Sequence, residues 1–212
     1  MKPALAAALI FSAQASGQPL DEADTAALLS RLAGSRSGHA VQAEFVEKRM
    51  LPMCDEPVVE TGTIAFEPPG RFLRKTKNLT VCDGKFLWMY YPEFRQAEKY
   101  PLSARGPGQL FTALGQALQF QKIAENFKVA ATGLDDGFRL ELSPRSGPLR
   151  RMLQSIMLDL DKSLRLRSSV MLGKDGDRVE TTYSNEKILP LGSIDFSFTP
   201  PASATVVSPL GG

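Results

Sequence analysis

From Val41 the chain alternates. Val41, Ala43, Phe45 and Glu47 fall on one side of an extended segment and Gln42, Glu44, Val46 and Lys48 on the other. A period of two marks a strand with one face toward a core. The same reading gives strands over Val58 to Phe66, Arg71 to Asn78, Phe86 to Tyr91, Lys128 to Thr132 and Phe138 to Leu142. Ile156, Leu158 and Leu160 alternate with Met157 and Asp159, and further strands run from Leu164 to Leu172 and from Val179 to Asn185. Pro68-Pro69-Gly70, Asp83-Gly84, Asp135-Asp136-Gly137 and Asp175-Gly176 are the turns between them. Gly62 is the expected place of a bulge.

Two stretches break this rhythm. Asp21 to Leu32 reads as a helix with Asp24 at its N-cap, an apolar stripe of Leu28, Leu29 and Leu32, and a stop at Gly34. Beyond Gly106-Pro107-Gly108, Leu110, Phe111, Leu114, Ala117 and Leu118 recur at helical spacing. A helix, a run of hairpins, a helical insertion and more hairpins together predict a mainly β chain of α+β class. Its long antiparallel meander curls into a strongly curved, unclosed barrel with helices on the concave face.

Phe86-Leu87-Trp88-Met89-Tyr90-Tyr91 stands apart, because it is apolar at both parities. Either both faces are covered, or one waits for an apolar ligand. Ordinary core packing accounts for most of the apolar residues on the strands. The functional alternative is a cavity for acyl chains between sheet and helices, since burying a chain contributes about 0.8 kcal/mol per methylene. Its expected lining is Phe45, Phe66, Phe72, Phe86, Trp88, Tyr90, Ile156 and Leu158, with Phe111, Leu114 and Leu118 opposite.

Composition narrows the classes. The 212 residues suit one domain plus an export signal, and a net charge of +2 gives no broad pull toward nucleic acid. Lys2, the apolar run Ala4 to Phe11 and the small residues at Ala13-Gln14-Ala15 have the layout of a cleavable signal over residues 1–15. The mature chain is then expected to be soluble, with a domain over 20–201 and a loose tail over 202–212, rich in Ser, Ala, Gly and Pro. Export permits a disulfide, and Cys54–Cys82 is the expected pair; the alternative is two free buried thiols.

An enzyme is not expected. His39 is the single histidine, so a hydrolase acting on lipid depends on it alone. Gly34-Ser35-Arg36-Ser37-Gly38 has Arg36 where a nucleophile elbow needs Ser. One His and two distant Cys make no metal site, and no phosphate-binding glycine loop is present, so neither metal nor cofactor is expected.

The ordered set of Gln42-Ala43-Glu44-Phe45, Gly62-Thr63-Ile64-Ala65-Phe66, Asp83-Gly84-Lys85 with Trp88, Gly176-Asp177-Arg178, and Phe196-Ser197-Phe198-Thr199-Pro200-Pro201 resembles the LolA family. The resemblance runs from about Asp24 to Pro201. It implies a periplasmic carrier, read here as a monomer, that takes acylated lipoproteins from an inner-membrane ABC complex and hands them to an outer-membrane receptor. Family members of the best-known type carry a lid-latching Arg where this chain has Pro68, and an aromatic often found in the next strand aligns with Arg74. Alternation places Arg74 beside Phe72, facing the hollow, as a lid or headgroup contact. These departures also resemble LolA-like relatives whose cargo is another lipid or lipid-linked product.

Overall fold

The alternation at Val41 is realised in β2 (His39–Met50), which sits at the middle of one 13-stranded sheet. The structure is a computed structural model that describes residues 17–52, 54–102 and 123–209. The expected signal and the segment carrying Phe111, Leu114 and Leu118 lie outside the described residues.

Two meanders make the sheet. The first runs from β2 through β3 (Val58–Glu67), β4 (Arg71–Lys75), β5 (Leu79–Cys82) and β6 (Phe86–Tyr91) to β7 (Gln96–Pro101). The second comprises β8 (Phe127–Leu134), β9 (Gly137–Pro144), β10 (Leu153–Asp161), β11 (Leu166–Gly173) and β12 (Arg178–Pro190). The long antiparallel pairing of β12 with β2 joins them. A two-residue strand, β1 (Gln18–Pro19), extends the β8 edge and β13 (Thr205–Val207) the β7 edge. The sheet is thus curved and unclosed, and mainly antiparallel, with β13 running parallel to β7. At the β5–β6 turn the Asp83 carboxylate accepts bonds from the backbone N–H groups of Lys85 and Phe86, each at 2.7 Å. Gly84 supplies the positive φ of 95° that this tight turn needs.

Among the described residues three helices cover part of one face: α1 (Glu22–Arg36), α2 (Ile123–Asn126) and α3 (Gly147–Met152). Leu28 and Leu32 of α1 and Leu149 of α3 pack on Phe127, Ala131, Leu140, Leu142, Ile156, Leu158 and Leu160, a core whose members are at most 7% exposed. We call this helix-bearing side the inner face.

Several local expectations are corrected. The N-cap of α1 is Asp21, whose carboxylate accepts the Asp24 N–H at 2.8 Å. The helix continues through Gly34 to Arg36, because Arg36 is held inside by Glu186. Residues 147–152 form the short helix α3, capped by the Ser146 hydroxyl, which accepts the Leu149 N–H at 3.4 Å. Gly62 is not a bulge: it pairs in register with Phe45, and a Cβ there would lie 2.1 Å from the Lys75 carbonyl oxygen. Register shifts fall instead between β10 and β11 and in β12, where Ser184 pairs with Glu44 but Lys187 with Gln42. Asn185, at φ 54°, absorbs the extra residue in the left-handed region that Asn tolerates better than most.

Part of the expected tail pairs with the sheet, as β13. After β12 the chain crosses the outer face, where the Gly192 N–H donates to the buried Glu67 at 2.7 Å and Phe196 is 4% exposed. It then enters β13, with Thr205 donating to the Arg95 carbonyl at 2.8 Å. Outer-face Ala40, Ala65, Val81 and Ala97 are buried, so this face is covered there, while Val46 and Val59 on the same face stay exposed.

Candidate functional site

Strand register sorts the predicted lining. Phe45 pairs with Gly62, Phe66 with Phe72, and Phe72 with Cys82, which pairs with Leu87. Tyr183 pairs with Phe45, and Thr181 with Ser169, which pairs with Leu158. Side chains directly opposite share a face, so Phe45, Phe66, Phe72, Arg74, Ile156 and Leu158 all lie on the inner face.

Phe86, Trp88 and Tyr90 do not. Trp88 pairs with Val81 and Tyr90 with Leu79, which places these aromatics on the outer face. There the ring of Phe198 lies 5.6 Å from Trp88 and 5.5 Å from Tyr90, and the Lys99 ammonium sits 3.9 Å over Phe86. They are roofed by the C-terminal segment and do not line the hollow. The inner-face residues of β6 are Leu87, Met89 and Tyr91, which the sequence reading passed over. Both parities of the strand are apolar, so alternation alone carried no signal. The signal was one strand away, in the hairpin register set by the Asp83-Gly84 turn.

The inner face has three zones. On β8–β10 it is filled by α1 and α3. On β4–β7, Cys82, Leu87 and Tyr100 form a second apolar cluster, with Phe72, Met89 and Leu102 partly buried beside it. The Phe66 ring lies 4.9 Å from that of Phe72 and extends this zone onto β3. Between the two apolar zones runs a polar belt. Arg74 Nη2 donates to Glu47 and to Glu60, each at 3.1 Å, and its guanidinium sits 4.8 Å over the Phe45 ring. Arg49 donates to the same Glu47 oxygen at 3.0 Å. Tyr183 and Ser169 share a hydroxyl hydrogen bond of 3.1 Å, and burial pushes the Tyr183 hydroxyl up. With no side chain at Gly62, Arg74 reaches across β3 from β4 to β2. At the far rim Tyr100 donates to Glu98 at 2.8 Å; burial first and that bond second push its hydroxyl up to about 12.

The cysteines are corrected as well. Both thiols are free, Cys54 exposed and Cys82 buried. Cys82 lies at the end of the sheet where Phe72 meets Phe66, whereas Cys54 lies in the loop beyond Val58, at the opposite end of β3. Eight residue steps separate Phe66 from Val58, roughly 26 Å at ~3.3 Å each, far beyond disulfide reach. The Cys82 thiol donates instead to the Gly70 carbonyl at 3.2 Å. His39 is exposed at the start of β2, its Nδ1 2.8 Å from the Ser37 carbonyl. Among the described residues no group of three or more His, Cys, Asp or Glu is placed to hold a metal.

Comparison with known proteins bears on the same region. A curated outer-membrane lipoprotein carrier protein from Photobacterium profundum is 28% identical over 202 residues, 93% of this chain and 92% of that protein. Among solved structures, an uncharacterized conserved protein from Thermus thermophilus matches with a TM-score of 0.52 at 15% identity, over 87% of this chain and 99% of that one. A LolA superfamily protein from Nitrosomonas europaea matches with a TM-score of 0.45 at 15% identity, over 82% of this chain and 97% of that one. The sequence profile described as outer membrane lipoprotein carrier protein LolA matches residues 36–199, from the last turn of α1 to the segment over the outer face, and the chain belongs to the LolA family.

Proposed function

We propose that this protein is a periplasmic carrier that shelters the acyl chains of lipoproteins on its inner face while they pass from the inner to the outer membrane. The observation that carries the reading is the split of that face. Its β8–β10 part is filled by α1 and α3, while its β3–β7 part carries a second apolar cluster, with Phe66, Phe72 and Met89 only partly buried, on an unclosed sheet. Membership of a family of carriers rather than enzymes supports it. The partners it entails are an inner-membrane ABC release complex and an outer-membrane receptor, with the protein acting as a monomer after removal of residues 1–15. Among the described residues no helix is long and apolar enough to cross a membrane.

A second reading, a carrier of another lipid, has its own support. Pro68 has no side-chain donor with which to latch a lid, and the inner face carries charge at Arg74, Glu47 and Glu60. Mass spectrometry of what co-purifies with protein taken from the periplasm separates the two. Acylated N-terminal peptides support the first reading. Phospholipid or another lipid without peptide supports the second, and protein free of any acyl chain contradicts both.

A further inference from the structure

Most of the described arginines face a carboxylate, as Arg36, Arg71 and Arg139 do. Those around α3 do not. Arg150 and Arg151 stand exposed in its last turn, and among the described residues their guanidinium groups have no partner. Arg145, also exposed, uses only its Nε, which donates to the Phe127 carbonyl at 3.0 Å. Exposed Lys174 joins them, since its backbone N–H donates to the Met152 carbonyl at 3.2 Å. Glu125 and Asp175 are the acids on the neighbouring segments, and neither is ion-paired to the cluster. The residues outside the described set contain no Asp or Glu, so no side-chain carboxylate there neutralises it. Cations do suit the C-terminus of a helix. That does not account for Arg145, which precedes the Ser146 cap, or for Met152, which stands 50% exposed among these charges.

We infer that α3 is where the protein touches an anionic bilayer surface, with Arg145, Arg150, Arg151 and Lys174 on headgroup phosphates and the Met152 side chain at the acyl boundary. The inference rests on the carrier reading, to which it adds the site of membrane contact. A guanidinium fork with no internal partner donates to phosphate oxygens without first breaking an ion pair. Basic residues near an anionic leaflet add their attractions, and an apolar side chain among them gains by leaving water. Leu149 and Leu153 hold α3 on the core, so docking needs no rearrangement of the fold. One short helix gives weak, salt-sensitive attachment, which suits a carrier that must leave each membrane it visits.

Cosedimentation with vesicles tests it. The full mature protein, without cargo, is titrated with vesicles of phosphatidylcholine and with vesicles that also contain phosphatidylglycerol. Binding to the anionic vesicles is expected, weakening as salt rises, with little binding to the neutral ones. Arg150→Glu/Arg151→Glu should weaken it by at least ~tenfold and Met152→Ser severalfold. Arg165→Glu/Lys187→Glu makes the same change in net charge toward the far ends of β11 and β12, and should bind nearly as the parent does. All these side chains are exposed, and circular dichroism checks that each variant is folded. Equal binding to both kinds of vesicle, parent-like binding in Arg150→Glu/Arg151→Glu or Met152→Ser, or an equal loss in Arg165→Glu/Lys187→Glu would overturn the inference. Binding to polyglutamate and not to anionic vesicles would overturn it too, and would make the partner an acidic protein. A fluorescent fatty-acyl probe bound to the parent separates the failures. Acyl binding without vesicle binding overturns this inference alone, and vesicle binding without acyl binding contradicts the carrier reading alone.

Discussion

Arg36 and Glu186 form a buried ion pair, 3.3 Å apart and with side chains 8% and 7% exposed, that ties the last turn of α1 to the bulge of β12. The Arg36 Nη2 also donates to the Leu164 carbonyl at 3.0 Å, and the Leu166 N–H donates to Glu186 at 3.2 Å. Burial lowers the Arg36 pKa and Glu186 opposes that shift. Removing one partner strands the other charge, so Arg36→Met should destabilise by about 3–5 kcal/mol in urea unfolding. The Arg36→Met/Glu186→Leu double variant should lose less than Arg36→Met alone. A double variant that is the weaker of the two would contradict the pairing.

Tyr100 makes alkaline stability measurable. An unfolded tyrosine titrates near 10, whereas the buried Tyr100 is raised to about 12. Between these values the folded chain keeps a proton that the unfolded chain has lost, so stability falls as pH rises. The contribution is fully present below pH ~10 and is lost as pH rises through about 12. Tyr100→Phe should flatten the decline in melting temperature across this window and leave its slope near neutrality unchanged.

The free thiols predict a difference in reactivity. Cys54 should alkylate in the native protein within minutes. Burial raises the Cys82 thiol and shields it, so Cys82 should alkylate only on unfolding. Intact mass of unreduced, periplasmically produced protein should show two alkylated cysteines after denaturation. A mass lacking both labels without reductant would restore the disulfide.

The segment over the outer face is expected to be structural. Phe196→Ala should cost about 3–5 kcal/mol, as for a buried phenylalanine. Phe198→Ala should shift the emission of Trp88, the single tryptophan, because their rings lie 5.6 Å apart. Acyl-probe binding should persist in Phe198→Ala, since that ring lies on the face opposite the proposed site.

Much of this was legible in the sequence where one parity is apolar and the other polar. Phe45 against Glu44 and Leu158 against Asp159 declare their face, and Arg74 could be placed beside Phe72 by counting. The aromatics of β6 could not be, because Leu87 and Met89 are as apolar as Phe86 and Trp88. Their face is decided by pairing with Val81 and Cys82 on a strand of four residues, too short to show a period. The partners of Arg74 were hidden for a related reason. Glu47 and Glu60 lie on two other strands, 27 and 14 residues away, and only the register of β2, β3 and β4 brings all three together. The cap at Asp21 lost to Asp24 in the reading because both are good cap residues, and only backbone geometry chooses between them.

The central claim, that acyl chains bind the inner face of β3–β7 and not the aromatic outer face, is tested most directly by equilibrium binding of a fluorescent fatty-acyl probe to two variants. Met89→Asp places a carboxylate on the inner face, and Lys99→Ala alters the outer face beside Phe86 and Trp88. With circular dichroism showing both folded, Met89→Asp should weaken binding by at least ~tenfold, since an apolar ligand must desolvate the new charge. Lys99→Ala should bind as the parent does. Parent-like affinity in folded Met89→Asp, or an equal loss in Lys99→Ala, would contradict the account.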